Sequence, residues 1–151
     1  MEDRIQDLAD PGLAELEQAV ADHPEEAMPL VRLANSYWLE GRGSDVVGEI
    51  AERARKLDPQ NRGAWHLWAL SEMDPRARTE RWRQVTVQFP EDDVALASLG
   101  DNAASLAGAE HDYVALDMAI DTYMALLART TAIEPREAIE KSLVALRKWR
   151  F

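Results

Sequence analysis

The chain has 151 residues, 46% of them hydrophobic and 30% charged, with no cysteine. That is the scale of one compact domain, and it excludes a disordered tail, a collagen-like fibre or a disulfide-stapled mini-protein. Seventeen basic against 28 acidic residues leave a net charge of −11, which repels phosphate backbones and anionic leaflets, so neither nucleic acid nor a membrane is expected as a partner. Without cysteine there is no thiol nucleophile, no Cys-based zinc site and no redox switch. Met1 to Asp10 carries Glu2, Asp3 and Asp7 and no apolar run, so neither a signal peptide nor an anchor is expected there. No stretch reaches the about 18 apolar residues of a membrane span, and the expected compartment is the cytoplasm.

In chain order, Asp10-Pro11 opens a lone predicted helix with Leu13, Leu16, Ala19 and Val20. Leu30, Leu33, Ala34, Tyr37 and Trp38 then recur at helical spacing. After a Gly41-Arg42-Gly43-Ser44 break, with Ser44 as the expected N-cap, Val46, Val47, Ile50, Ala51, Ala54 and Leu57 do the same. The next pair carries Trp65, Trp68 and Ala69, then Asp74-Pro75 as an N-cap with proline at the first helical position, then Trp82, Val85 and Phe89. A third has Leu96, Leu99, Gly100, Ala103 and Leu106, a turn over Gly108 to Asp112, and Leu116, Ala119, Ile120, Tyr123, Leu126 and Leu127. A closing helix holds Ile139, Leu143, Leu146 and Trp149, with Arg136, Glu137, Glu140, Lys141, Arg147 and Lys148 left for solvent. No window alternates with period two, so no strands are predicted.

Four signals punctuate these stretches: His23-Pro24-Glu25, Asp58-Pro59-Gln60-Asn61, Phe89-Pro90-Glu91-Asp92 and Glu134-Pro135-Arg136. Their prolines stand 35, 31 and 45 residues apart, which brackets the period of helix-turn-helix repeats. Proline is tolerated in a helix's first turn but cannot continue one, so each signal ends one helix and opens another.

The segment Leu33-Ala34-Asn35-Ser36-Tyr37 through Gly41, with Ala54 and Leu57-Asp58-Pro59-Gln60-Asn61, resembles a tetratricopeptide (TPR) repeat, including its terminal Asp-Pro-x-Asn. Trp65 with Ala69, and Leu99-Gly100 with Ala119-Ile120, continue the resemblance. The second pair is short by about three residues and has Glu72 where the family prefers an aromatic, and the third carries an insertion around Ala109 to Asp112. The resemblance implies an all-α, α-α superhelix of seven or eight helices in a single domain over 1–151. Its parts are a leading half repeat (10–26), three repeats (27–61, 62–92 and 93–131) and a capping helix (132–151). Ala34, Ala69 and Gly100 are the expected small residues at helix crossings. Tyr37, Trp65, Trp68, Trp82 and Tyr123 are expected to supply most of the aromatic packing area.

In such repeats the first helix of each pair lines a concave groove. By that resemblance the groove here presents Met28, Val31, Asn35, Trp38 and Leu39, then His66, Leu70 and Met73, then Val94, Ala97, Asp101, Ala104 and Ser105. One subclass grips a terminal carboxylate with cations. Here only Asn35 fits that pattern, with Val31, Val94 and Ser98 where cations would be wanted. An apolar groove suits an amphipathic helix or extended hydrophobic segment, and the net acidity adds attraction for a basic one. A terminal helix folded into the groove is the competing arrangement.

Chemistry finds little footing. His23, His66 and His111 are far apart, with no His-x-x-x-His or Glu-x-x-His spacing, so no metal is expected. Gly41-Arg42-Gly43-Ser44 lacks the lysine and preceding strand of a phosphate loop. Arg76, Arg78, Arg81 and Arg83 form one cationic cluster, read as a solvated face paired with Glu72 and Glu80 rather than as a contact for acidic protein or phosphate. The expectation is a non-enzymatic interaction scaffold or adaptor, without cofactor, that binds a protein or peptide. Its alternatives are a homodimer formed through apolar surface near Trp149 and Phe151, and a small TPR chaperone of secretion or cytochrome maturation.

Overall fold

The computed structural model describes residues 12–151, which form eight α-helices and no strand. The expected helix opening at Asp10-Pro11 lies outside the described residues. Two compact units divide the chain, one ending at Glu72 and one spanning Met73–Phe151. The division falls inside the 62–92 pair.

The first unit holds α1 (Leu13–Asp22), α2 (Ala27–Leu39), α3 (Ser44–Leu57) and α4 (Arg62–Leu70). Here α2 packs against all three of the others, and α3 also packs against α4. Ala27, Leu30, Ala54 and Ala64 meet in one cluster, with Val20, Val31 and Ile50 packed on it. Alanines at these contacts let helix backbones approach closely, and Ala34 and Ala69 are likewise fully buried. Tyr37 Oη donates to Glu17 Oε1 at 2.8 Å, tying α2 to α1.

Gly41 ends α2 in the left-handed region, at φ 72°. Arg42 N–H donates to the Tyr37 carbonyl and Gly41 N–H to the Trp38 carbonyl, the paired bonds with which a left-handed glycine closes a helix. The break predicted there is therefore a helix stop. Ser44 is not the N-cap of α3 but its first helical residue; Gly43 occupies the cap and no side chain bonds there. Asn61 does cap α4, its Oδ1 accepting from Ala64 N–H at 3.1 Å, while its Nδ2 donates to Met28 Sδ.

The second unit holds α5 (Pro75–Gln88), α6 (Asp93–Glu110), α7 (Tyr113–Arg129) and α8 (Ile133–Arg147), packed in sequence order. Aspartates cap three of its helices. Asp74 accepts from Ala77 N–H with Pro75 in the first turn, Asp92 accepts from Val94 and Ala95, and Asp112 accepts from Val114 and Ala115. Pro24, Pro59 and Pro90 lie between helices as expected, whereas Pro135 sits inside the first turn of α8. The core joins Ala103, Leu106 and Ala107 of α6 to Leu116, Ala119, Tyr123 and Leu126 of α7 and to Ile139, Leu143 and Leu146 of α8.

Two details depart from expectation here. The predicted Gly108–Asp112 turn is shorter, because α6 continues through Glu110 and His111 alone turns the chain, at φ 52°. Gly108 instead gives clearance: a Cβ there would stand 3.2 Å from the Trp149 ring, which folds back past the end of α8. Arg136 is not left to solvent. Its Nη1 donates to the Leu127 and Thr130 carbonyls, satisfying the C-terminal end of α7.

Tyr123 Oη donates to Asp101 Oδ1 at 2.6 Å. Burial, reinforced by the neighbouring Asp101 carboxylate, pushes its phenol well above the ordinary tyrosine value. The folded chain thus keeps a proton that the unfolded chain loses near pH 10, so stability is level below about pH 10 and falls as pH rises beyond it. Tyr123→Phe is expected to flatten that fall, compared by urea midpoints at about pH 8 and about pH 11. Some slope remains from Tyr37, whose phenol is also raised, chiefly by its bond to Glu17. An unchanged alkaline slope would contradict this role for Tyr123.

Candidate binding surface

The thirteen residues predicted to line a groove do not share one environment. In the first unit, Met28, Asn35 and Leu39 lie on one side of α2, opposite Leu30 and Leu33, which are buried, and Trp38 stands at the border of that side, one turn beyond buried Ala34. Met28, Trp38 and Leu39 are 47%, 38% and 76% exposed. Val31, at the edge of this face, packs against the core cluster and contributes only partly. Its Cγ1 lies 3.3 Å from where a Gly63 side chain would begin, which brings the start of α4 alongside. His66 and Leu70, half-buried, continue from α4. Exposed apolar side chains thus stand on α2, whose neighbour α4 contributes only the half-buried His66 and Leu70.

Met73 stands outside both helices of the first unit's face. α4 stops at Leu70, and Met73 lies in the connection beyond it, within the second unit. On α6, Val94 is exposed, but Ala97 and Ala104 pack on the core cluster. Asp101 is committed to Tyr123, and Ser105 is exposed and polar. Exposed apolar side chains are more numerous on α2 than on α6, where Val94 alone of the five predicted positions is both apolar and exposed.

The arginine cluster is not a single solvated face. Arg83 pairs with Glu80 as expected, through two bonds of 2.8 and 2.6 Å. Arg76 instead bridges Glu110 and Asp112, and Arg78 Nε donates to Asn102 Oδ1 at 2.7 Å. These two cations tie α5 to α6 and to the start of α7. The Arg76 guanidinium, together with the capping amides of Ala115 and Val114, holds the Asp112 carboxyl below its ordinary value.

His23 stands beside Glu26 at 3.5 Å, and His111 stacks on Phe151 with ring centroids 5.0 Å apart. Among the described residues, no three His, Asp or Glu side chains gather where a metal ion could be held. No described helix is long and apolar enough to cross a membrane. Near Trp149 and Phe151 the aromatic rings pack on one another and still leave surface, with Phe151 42% and Tyr113 47% exposed. Phe151 contacts the Tyr113 and Trp149 rings as well as His111, and its backbone N–H donates to Tyr113 Oη at 2.7 Å.

Sequence reasoning missed a second apolar surface, between α7 and α8, where Met124 and Val144 are exposed. Its signal was present: both residues fall one position off the core stripes set by Tyr123 with Leu126 and by Leu143 with Leu146. No protein-family model matches the chain, and no curated protein matches it either.

Proposed function

We propose that this chain is a non-enzymatic interaction module built from TPR-like helix pairs, and that the outer face of α2, flanked by α4, takes a hydrophobic or amphipathic segment of a partner protein. The observation that carries this reading is the exposure of Met28 and Leu39 on the outer side of α2, with Trp38 at its edge, while Leu30 and Leu33 close the opposite side. An aromatic beside a flexible thioether offers large, adaptable and non-directional burial. The net charge of −11 favours encounter with a basic segment.

A photo-crosslinking side chain at Leu39 should capture a discrete partner in cells. Trp38→Ala combined with Leu70→Asp should reduce that capture at least about tenfold, the scale of a lost aromatic anchor, with helicity and Tm nearly unchanged. Parallel loss of capture and helicity would assign these residues to the core. An equal yield from the double variant would remove the face from consideration.

A further inference from the structure

The packing of α8 points to a second docking surface, and we infer that its occupant is α8 of a second copy of this chain, lying antiparallel to the first across a two-fold axis. A groove of about 410 Å³ runs between α7 and α8, with Met124, Leu127, Leu143 and Val144 as its floor and Arg136 and Arg147 on its rim. Met124 is 48% and Val144 54% exposed. The inward face of α8 is fully used, since Ile139, Leu143 and Leu146 are buried against α7 and α6. Val144 belongs to a different stripe, which continues through Glu137 and Glu140 on one side and Arg147 and Lys148 on the other.

Charge distribution along that stripe selects the occupant. Glu134, Glu137 and Glu140 outnumber Arg136 in the first half of α8, while Lys141, Arg147, Lys148 and Arg150 follow with no acid among residues 141–151. A parallel neighbour would set like charge against like. An antiparallel copy centred near residue 142 sets Glu137 against the partner's Arg147 and each Val144 beside the partner's Glu140, with the two Val144 side chains about one helical turn apart. A two-fold interface requires such self-complementarity, with each half supplying what the other needs. A separate acidic helix would match the basic end but meet repulsion from the three glutamates, and a basic helix would meet the reverse. Two neighbouring arginines are already engaged: Arg129 at the end of α7 with Asp93 and Glu91, and Arg136 with the carbonyls that end α7 and with Glu140 at 3.8 Å.

Sedimentation of the full chain over about a hundredfold range of concentration should show a monomer–dimer equilibrium that weakens with added salt. Val144→Glu should abolish the dimer. Glu137→Arg and Arg147→Glu should each weaken association at least about tenfold, and the two together in one chain should restore it, since reversing both ends recreates the complementarity. Far-UV circular dichroism of each variant separates lost association from lost folding, and a variant that unfolds is replaced by Val144→Ser or by the neutral pair Glu137→Gln and Arg147→Gln. A monomer at every concentration would overturn the inference, as would a double reversal no better than the single ones, or a groove that engages only other proteins.

Discussion

Trp68→Ala should cost the first unit about 3–5 kcal/mol, the range for deleting a buried tryptophan. Trp68 is buried, and its ring meets that of Trp65 edge to face at 5.7 Å and 86°. The Arg55 guanidinium lies over both, 4.1 Å from the Trp68 centroid and 4.6 Å from that of Trp65. Glu52 holds the cation there through bonds of 2.6 and 3.0 Å to Arg55. Trp65 is fixed in turn by its indole N–H, which donates to the Pro59 carbonyl at 2.9 Å. Removing Trp68 therefore opens a cavity and takes away one surface on which Arg55 rests, leaving the α3–α4 contact short of its largest side chain. Arg55→Met retains the stem while discarding the charge, and should cost only about 1 kcal/mol, the cation–π share. Urea unfolding of both variants makes the comparison. Trp38→Ala is the informative contrast, because an exposed ring should cost far less than Trp68; a similar loss from both would place Trp38 in the core.

That contrast also shows how much of the molecule was legible beforehand. Trp38, Trp65 and Trp68 all lie at helical spacing, so periodicity located the helices and said correctly that no strands intervene. Spacing alone does not tell an outward aromatic from an inward one, because that depends on which neighbour a face meets. Met73 shows the limit at a helix end. Its register continues from His66 and Leu70, yet α4 stops at Leu70, where Ser71 N–H bonds to the Leu67 carbonyl. Punctuation by residue type was read well where one residue does one job, as with Asp74 and Pro75. For glycine it was right at Gly41 and wrong at Gly108. Gly41 ends a helix by adopting a conformation other residues resist, whereas Gly108 stays helical and makes room for Trp149. Local spacing identifies Glu80 as the partner of Arg83 but not the partners of Arg76 and Arg78, because Glu110, Asp112 and Asn102 lie at least 24 residues away. Asp112 serves both as the cap of α7 and as an acceptor for Arg76, a double duty that only the fold reveals.

Gly100→Leu should be comparably damaging to the second unit, for the opposite reason. A Cβ built on Gly100 would stand 2.7 Å from Tyr123 Cε1, 2.9 Å from Cδ1 and 3.2 Å from Cζ. The ring cannot swing aside cheaply, because its hydroxyl is bonded to Asp101 while its other end is fixed by the backbone of α7. Glycine inside a helix is itself unfavourable by about 1 kcal/mol relative to alanine. That cost is offset only because α6 and α7 can approach until the phenol ring covers bare backbone. Gly100→Ala recovers the propensity but incurs an overpacking penalty of about 1–3 kcal/mol, for a net loss of about 1 kcal/mol. Leucine at the same position forces the helices apart, disturbs the cluster that Tyr123 shares with Leu116 and Leu126, and should cost about 3 kcal/mol or more. Combining Gly100→Ala with Tyr123→Leu should cost less than the sum of the single changes, since the clash needs both partners. Gly108→Ala supplies the control: its obstacle is the edge of the Trp149 ring at 3.2 Å, on a segment beyond the last helix that can shift by a few tenths of an ångström. Thermal melts of the five variants, Tyr123→Leu alone included, decide the matter, and a more stable Gly100→Ala chain would mean that α6 and α7 do not depend on close approach at their crossing.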